Sequence, residues 1–209
     1  MKRPKDRPEP SAEAAAAAIL EEAQNGYELL VLGLDEGRTA DAATFQATVG
    51  KIVHEFEGHV AILVHGPRGH RDANCDQILV PTTGADYSRF GAEVAVAIAK
   101  GSGGTLTALH VATPPTESDL LRRPQKLQRP ARALLDDIVA LGERERVRVI
   151  SRAVVGVAKE STILRQAYRG GHQLIVLGTK AWSGEELHFG RSAEAIIENA
   201  PGPILVVKT

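Results

Sequence analysis

The stretch Leu174-Ile-Val-Leu-Gly-Thr-Lys-Ala-Trp-Ser-Gly-Glu-Glu-Leu-His-Phe-Gly-Arg-Ser-Ala-Glu-Ala-Ile-Ile-Glu-Asn-Ala-Pro-Gly-Pro-Ile-Leu-Val-Val207 decides the fold. Leu174 to Leu177 is a short apolar run ending at Gly178, which reads as a buried strand. Residues 191–199 read as a helix, and Ile204 to Val207 as a second buried strand. Neither strand shows a polar face. That is the pattern of a parallel sheet covered by helices on both sides.

Upstream, the same alternation continues. Ile78-Leu-Val80 reads as a strand ending at Pro81, and residues 86–100 as an Ala/Val helix stopped by Gly101-Ser-Gly-Gly104. Leu106 to Val111 is a strand, 122–142 a long helix, Val147 to Val155 a strand and 158–169 a helix. The predicted class is α/β: an open parallel five-stranded sheet with helices on both faces, from residue 77 to 209. Residues 67–76 read as a linker rich in Gly, Pro, Asn and Asp, and residues 1–10 as a disordered, Pro-rich charged tail.

Residues 11–66 form a partial unit. Ser11 can cap a helix over 11–24; Leu29 to Leu32 is a strand ending at Gly33. A helix over 41–56 and a strand over 60–64 follow. This half unit repeats the end of the chain. Ile19-Leu20, Leu29-Leu-Val-Leu-Gly33 and Ile62-Leu-Val64 match Ile163-Leu164, Leu174-Ile-Val-Leu-Gly178 and Ile204-Leu-Val206, at offsets between 142 and 145 residues. Two strands and two helices are marginal alone, and the strand at 29–32 keeps an unpaired edge.

Ile78-Leu-Val-Pro81, His110-Val111 and the tail from Ile175 to Val207 resemble universal stress proteins. The likeness covers residues 77–209, and more weakly 16–65. It implies the stress-protein variety of the adenine-nucleotide α-hydrolase-like fold, and a regulatory module that takes an adenine nucleotide, ATP or AMP, with or without Mg²⁺. The family pattern in the tail is a Gly, two residues, a Gly, nine residues, then Gly-Ser or Gly-Thr. Here Ala181 stands for the second glycine, eight residues separate it from Gly190, and Arg191 precedes Ser192. Thr83 replaces the acidic residue that nucleotide-binding members carry after the first strand. These departures look like the variant fused to cation/proton antiporters. That variant implies the alternative of a dimerising regulatory tail without nucleotide, beside a membrane transporter. In stress-protein dimers the last strands of two units pair. By resemblance, strands 60–64 and 204–207 pair within this chain as a pseudo-dimer, or between two chains as a homodimer.

Chemistry gives the loop 178–192 its own logic. Open α/β sheets bind ligands at the carboxyl ends of their strands. A helix N-terminus offers free N–H groups to phosphate. Gly178, Lys180, Ala181, Gly190, Arg191 and Ser192 would surround the anion. Pro81, Thr82, Thr83 and Val111 would wall the adenine and ribose. The plainer reading is open beside it: turn glycines, with Ser192 as a helix cap. Trp182 either stacks on a base or covers apolar surface. Glu185 and Glu186 are the acids beside the loop, so the reading is non-enzymatic, with slow ATP hydrolysis at most.

Other classes fare worse. Gly101-Ser-Gly-Gly104 follows a helix and precedes a strand, the reverse of a dinucleotide fingerprint. Gly50-Lys51-Ile52 lacks the rest of a P-loop, and no Gly-x-Ser-x-Gly elbow exists. His54, His59, His65 and His70 share no helix face, and Cys75 is the one cysteine, so neither a metal site nor a disulfide is expected. A net charge of −1 gives no footprint for nucleic acid. Arg122, Arg123, Lys126, Arg129 and Arg132 read as a solvated face. No apolar run reaches the roughly 20 residues of a membrane span, and no signal peptide is present, so a cytoplasmic location is expected.

Overall fold

A computed structural model describes residues 11–34, 42–64, 75–114, 125–180 and 189–208. The elements in chain order are α1 (Ala12–Ala23), β1 (Leu29–Leu34), α2 (Ala42–Glu55), β2 (His59–Val64), β3 (Gln77–Pro81), α3 (Asp86–Ser102) and β4 (Thr105–Ala112). They continue with α4 (Gln125–Glu145), β5 (Arg148–Val155), α5 (Lys159–Arg169), β6 (Leu174–Thr179), α6 (Arg191–Asn199) and β7 (Ile204–Lys208). Local signals act as expected. The Ser11 hydroxyl accepts from Ala14 N at 3.3 Å to cap α1. α3 ends where Gly103 takes the left-handed conformation, φ 69°.

All seven strands lie in one sheet, ordered β1-β2-β7-β6-β3-β4-β5. Strands β3 to β7 form the parallel five-stranded unit. The half unit joins it through β2, which runs antiparallel to β7 in the register Val60–Lys208 through Val64–Ile204. The intrachain pseudo-dimer is therefore the arrangement found. β1 is the terminal strand, parallel to β2.

Alternate residues of each strand feed opposite layers. Ile78, Val80, Leu106, Ala108, Leu174, Val176 and Leu205 pack under α3 and α4, against Ala92, Ala95, Val96, Ala99, Leu135 and Ile138. Leu79, Leu109, Ile175, Leu177, Ile204 and Val206 pack under α5 and α6, against Ile163, Ala167, Ala193 and Ile196. In the half unit, Val60, Ile62 and Val64 pack under Val49 and Val53 of α2. Phe189 and Ile197 touch both of the last two clusters, so that layer continues across the β2–β7 junction. The Lys208 ammonium adds a polar tie there, donating to Val53 O at the end of α2. Helix C-termini favour a cation.

Two sequence expectations need correction. The strands run through Gly33 and Gly178 rather than stopping at them, ending at Leu34 and Thr179. Gly178 also has a packing role that its place in the loop did not announce. A Cβ at Gly178 would sit 1.9 Å from Tyr87 O, and one at Gly91 would sit 2.9 Å from Gly178 N. The pair lets the first turns of α3 lie directly on β6. The repeat partner, Gly33, has nothing within 4 Å of the same position among the described residues.

That asymmetry yields a matched test. Gly178→Ala should destabilise the fold by about 1–3 kcal/mol, because the obstructing atoms are backbone and cannot rotate away. Gly33→Ala should change stability by less than about 0.5 kcal/mol. Urea unfolding of both variants checks the pair; equal losses would mean the helix contact is not what Gly178 provides.

Candidate functional site

β3 lies between β4 and β6 in the sheet, so the chain reverses its direction of travel across the sheet there. Such a switch point opens a crevice at the carboxyl ends of the strands. The ladders show it. β3 stays paired with β4 through Pro81–Leu109, whereas its pairing with β6 covers Ile78–Leu174 and Leu79–Ile175. Beyond those residues β3 and β6 part. Pro81, Thr82 and Thr83 leave one side of the gap, and Gly178, Thr179 and Lys180 leave the other.

The β3 side is spent on itself. Thr82 is buried, its N–H donates to Leu109 O at 2.8 Å, and its hydroxyl donates to Ser88 Oγ at 3.3 Å. Ser88 Oγ donates to Ala85 O at 2.9 Å and accepts from Thr83 N at 3.2 Å. Gly84 closes the turn at φ +89°. His110 Nδ1 lies 3.0 Å from Thr82 O. A carbonyl only accepts, so this contact requires the Nδ1–H tautomer or the imidazolium. Of the predicted wall, Thr83 is exposed, Pro81 is half-buried and Thr82 is inside. Val111 lies in the core layer under α5, so its side chain packs rather than lining open surface.

The β6 side is more open to a ligand. Lys180 is exposed, as are Gly190 and Arg191 at the start of α6. Gly190 takes φ +79° and supplies no side-chain cap. The first turn of a helix leaves its N–H groups without intrahelical partners. Ala181, Trp182, Glu185 and Glu186 lie outside the described residues.

Ser192 differs from expectation. Its hydroxyl donates to Glu160 Oε1, a carboxylate in the first turn of the neighbouring helix α5. A serine has one proton to give, so the hydroxyl is not free for an anion while this bond stands. Glu160 brings negative charge to the same helix end that would hold phosphate. Its partner, the Ser192 hydroxyl, and then its own backbone N–H hold the carboxyl below the usual range.

Sequence reasoning missed three participants. Ser88 and Glu160 carry no motif; only their folded neighbours give them roles. Thr179 is the third. It is buried at the end of β6, and its hydroxyl has no hydrogen-bond partner among the described residues. A buried polar atom without a partner is uncommon in proteins. Among the described residues, no group of three His, Cys, Asp or Glu could hold a metal ion.

The sequence pattern of the Universal stress protein family matches residues 74–208. The chain belongs to the universal stress protein family. It is 30% identical over 139 residues to a universal stress protein of Methanocaldococcus jannaschii, covering 63% of this chain and 81% of that one. Solved structures agree in fold. A universal stress protein from Archaeoglobus fulgidus superimposes with a TM-score of 0.59 at 19% identity, over 91% of this chain and 65% of that one. A universal stress protein solved in complex with cAMP matches with a TM-score of 0.50 at 18% identity, over 65% of this chain and 98% of that one.

The Glu160–Ser192 bond has a pH signature. A depressed folded pKa gives stability that is present above the unfolded carboxylate value and lost as pH falls through the folded one. Both groups are largely solvated, so the contribution should stay under about 1 kcal/mol. Ser192→Ala should therefore shrink the difference in urea midpoint between neutral and acid pH relative to the parent. An unchanged difference would show that the bond does not persist in solution.

Proposed function

We propose that this universal stress protein is a non-catalytic regulatory module that binds an adenine nucleotide, ATP or AMP, at the switch point between β3 and β6. The phosphates would lie on the amino end of α6, with Lys180 and Arg191 beside them, and the base toward Pro81 and Thr83. One observation carries the reading. It is supported by the end of the β3–β6 ladder at Leu79–Ile175, by exposed Lys180 just beyond β6, and by the exposed start of α6 at Arg191, which has no side-chain cap. A helix N-terminus and nearby cations favour an anion. The unpartnered Thr179 hydroxyl and the cAMP bound by another family member add support.

The Glu160–Ser192 bond favours a second reading, in which the loop is closed to anions and the protein serves as a dimerising or regulatory tail, as beside a cation/proton antiporter. Among the described residues, no helix is long and apolar enough to cross a membrane. Any transporter in that reading is a separate or adjoining part.

One series of titrations separates the two. Nucleotide should be released from the purified protein on denaturation, or ATP and AMP should bind by calorimetry with and without Mg²⁺. Lys180→Ala with Arg191→Ala should weaken binding about tenfold or more, the scale of one lost charge-assisted hydrogen bond. Glu160→Gln should tighten it by removing a like charge. Absence of released nucleotide, together with no heat and no thermal shift, rejects the first reading and leaves the second.

A further inference from the structure

Two helices start side by side at the carboxyl rim of the sheet. β5, β6 and β7 share one direction, so the helices that connect them, α5 and α6, both begin at that rim. The hydrogen bond from Ser192 in the first turn of α6 to Glu160 in the first turn of α5 ties the two starts together. The residues before them, Ala158 and Gly190, have no side chain that can cap. The first-turn N–H groups of both helices lack intrahelical partners, and both macrodipoles place partial positive charge here. A second observation points to the same spot. Ile175 and Leu177 pack under α5 and α6. Strand alternation sends the next residue on that face, Thr179, into the same layer at the end of β6. Thr179 is 8% exposed, and its hydroxyl has no partner among the described residues.

Glu160 is the acceptor that meets these donors. Its carboxylate takes the Ser192 hydroxyl and its own backbone N–H, which hold the carboxyl below the usual range. The charged groups around it are Lys159 on α5, Arg191 and Glu194 in the first turn of α6, and Lys180 just past Thr179. β4 and β5 bring Leu109, Val111 and Val154 to this layer. We propose that Glu160 is an internal anion holding the place of the ligand's phosphate, so that binding at the two helix starts takes up a proton. The proposal rests on the nucleotide-binding reading and supplies its control. A carboxylate and a phosphate on one set of donors cannot both keep full charge. The proton comes from solvent and belongs to the carboxyl–phosphate pair. It lets Glu160 donate rather than repel, and it frees the Ser192 hydroxyl for the ligand. Glu160 ionised on Ser192 is the closed state, and the proton opens it. Anion binding therefore strengthens as pH falls toward the carboxylate range.

Inorganic sulfate is the probe, because it keeps one charge state over the range used. Its affinity is read from the amide NMR shifts of residues 160 and 192, at constant ionic strength, in the full-length protein and in Glu160→Gln. The parent should bind about tenfold more weakly than Glu160→Gln at about pH 7.5, one pKa unit of like-charge repulsion. At about pH 5 the gap should fall to less than half of that. Glu160→Ala, the second variant, should show the same loss of pH dependence. AMP titrated at neutral pH tests the underlying reading separately. If AMP binds but the gap is the same at both pH values, or absent, the proton linkage is wrong and the nucleotide site stands. Weaker sulfate binding in both variants would make Glu160 a ligand contact and overturn the proposal. No response of those amides to sulfate, with AMP still bound, would place the phosphate elsewhere and overturn it as well. No binding of either probe to any of the three proteins rejects both.

Discussion

The antiparallel ladder between β2 and β7 is the contact on which the rest of the molecule depends. Each strand has an apolar run facing both layers, and each would otherwise end its own sheet. An exposed apolar edge invites pairing with another chain, and pairing the two edges with each other removes that hazard. The half unit, too small to sustain a core alone, gains one by sharing Phe189 and Ile197 with the complete unit. The ring of His59 stacks on Phe90 of α3, centroids 3.9 Å apart, so the other layer is tied as well.

The antiparallel sense of that junction also turns the two units to opposite rims of the sheet. β1 and β2 are parallel to each other and opposed to β7, so their carboxyl ends lie on the rim away from those of β3, β4 and β6. Ligand chemistry in this fold class belongs to the carboxyl ends. Among the described residues, the half unit's strand ends therefore lie away from the crevice between β3 and β6, and it reaches α6 through β7 and through the packing of Phe189 and Ile197.

At the crevice the protein satisfies most of its own polar groups. Ser88 ties Thr82, Thr83 and the start of α3 into one turn. Glu160 takes the Ser192 hydroxyl. Such local bonds stiffen the strand ends while lowering the number of groups available to a ligand. What is left on the β6 side is cationic and backbone in character: Lys180, Arg191 and the uncapped start of α6. An anion with many acceptor oxygens suits that remainder better than a neutral ligand does.

Periodicity and punctuation were enough to place the elements. Leu174 to Leu177 and Ile204 to Val207 are too apolar to be surface strands, and Gly103 has the freedom of conformation that ends α3. The repeat likewise showed in residues: Gly33 with Gly178, Ile62 with Ile204. The pairing of strands 60–64 and 204–207 came from the resemblance to stress-protein dimers. The purpose of individual residues was a different matter. Gly178 carried the mark of a phosphate loop, yet its missing side chain makes room for Tyr87 O, a neighbour far off in the chain. Ser192 read as an anion donor until Glu160, 32 residues away, was seen to hold its proton. Thr82 read as a wall residue until Ser88 and Leu109 enclosed it. Hydrophobic spacing is a property of adjacent residues, so the chain alone determined the strands, the helices and their alternation. Which polar group stands within 3 Å of which is a property of packing, so only the tertiary structure decided what remains free to meet a ligand.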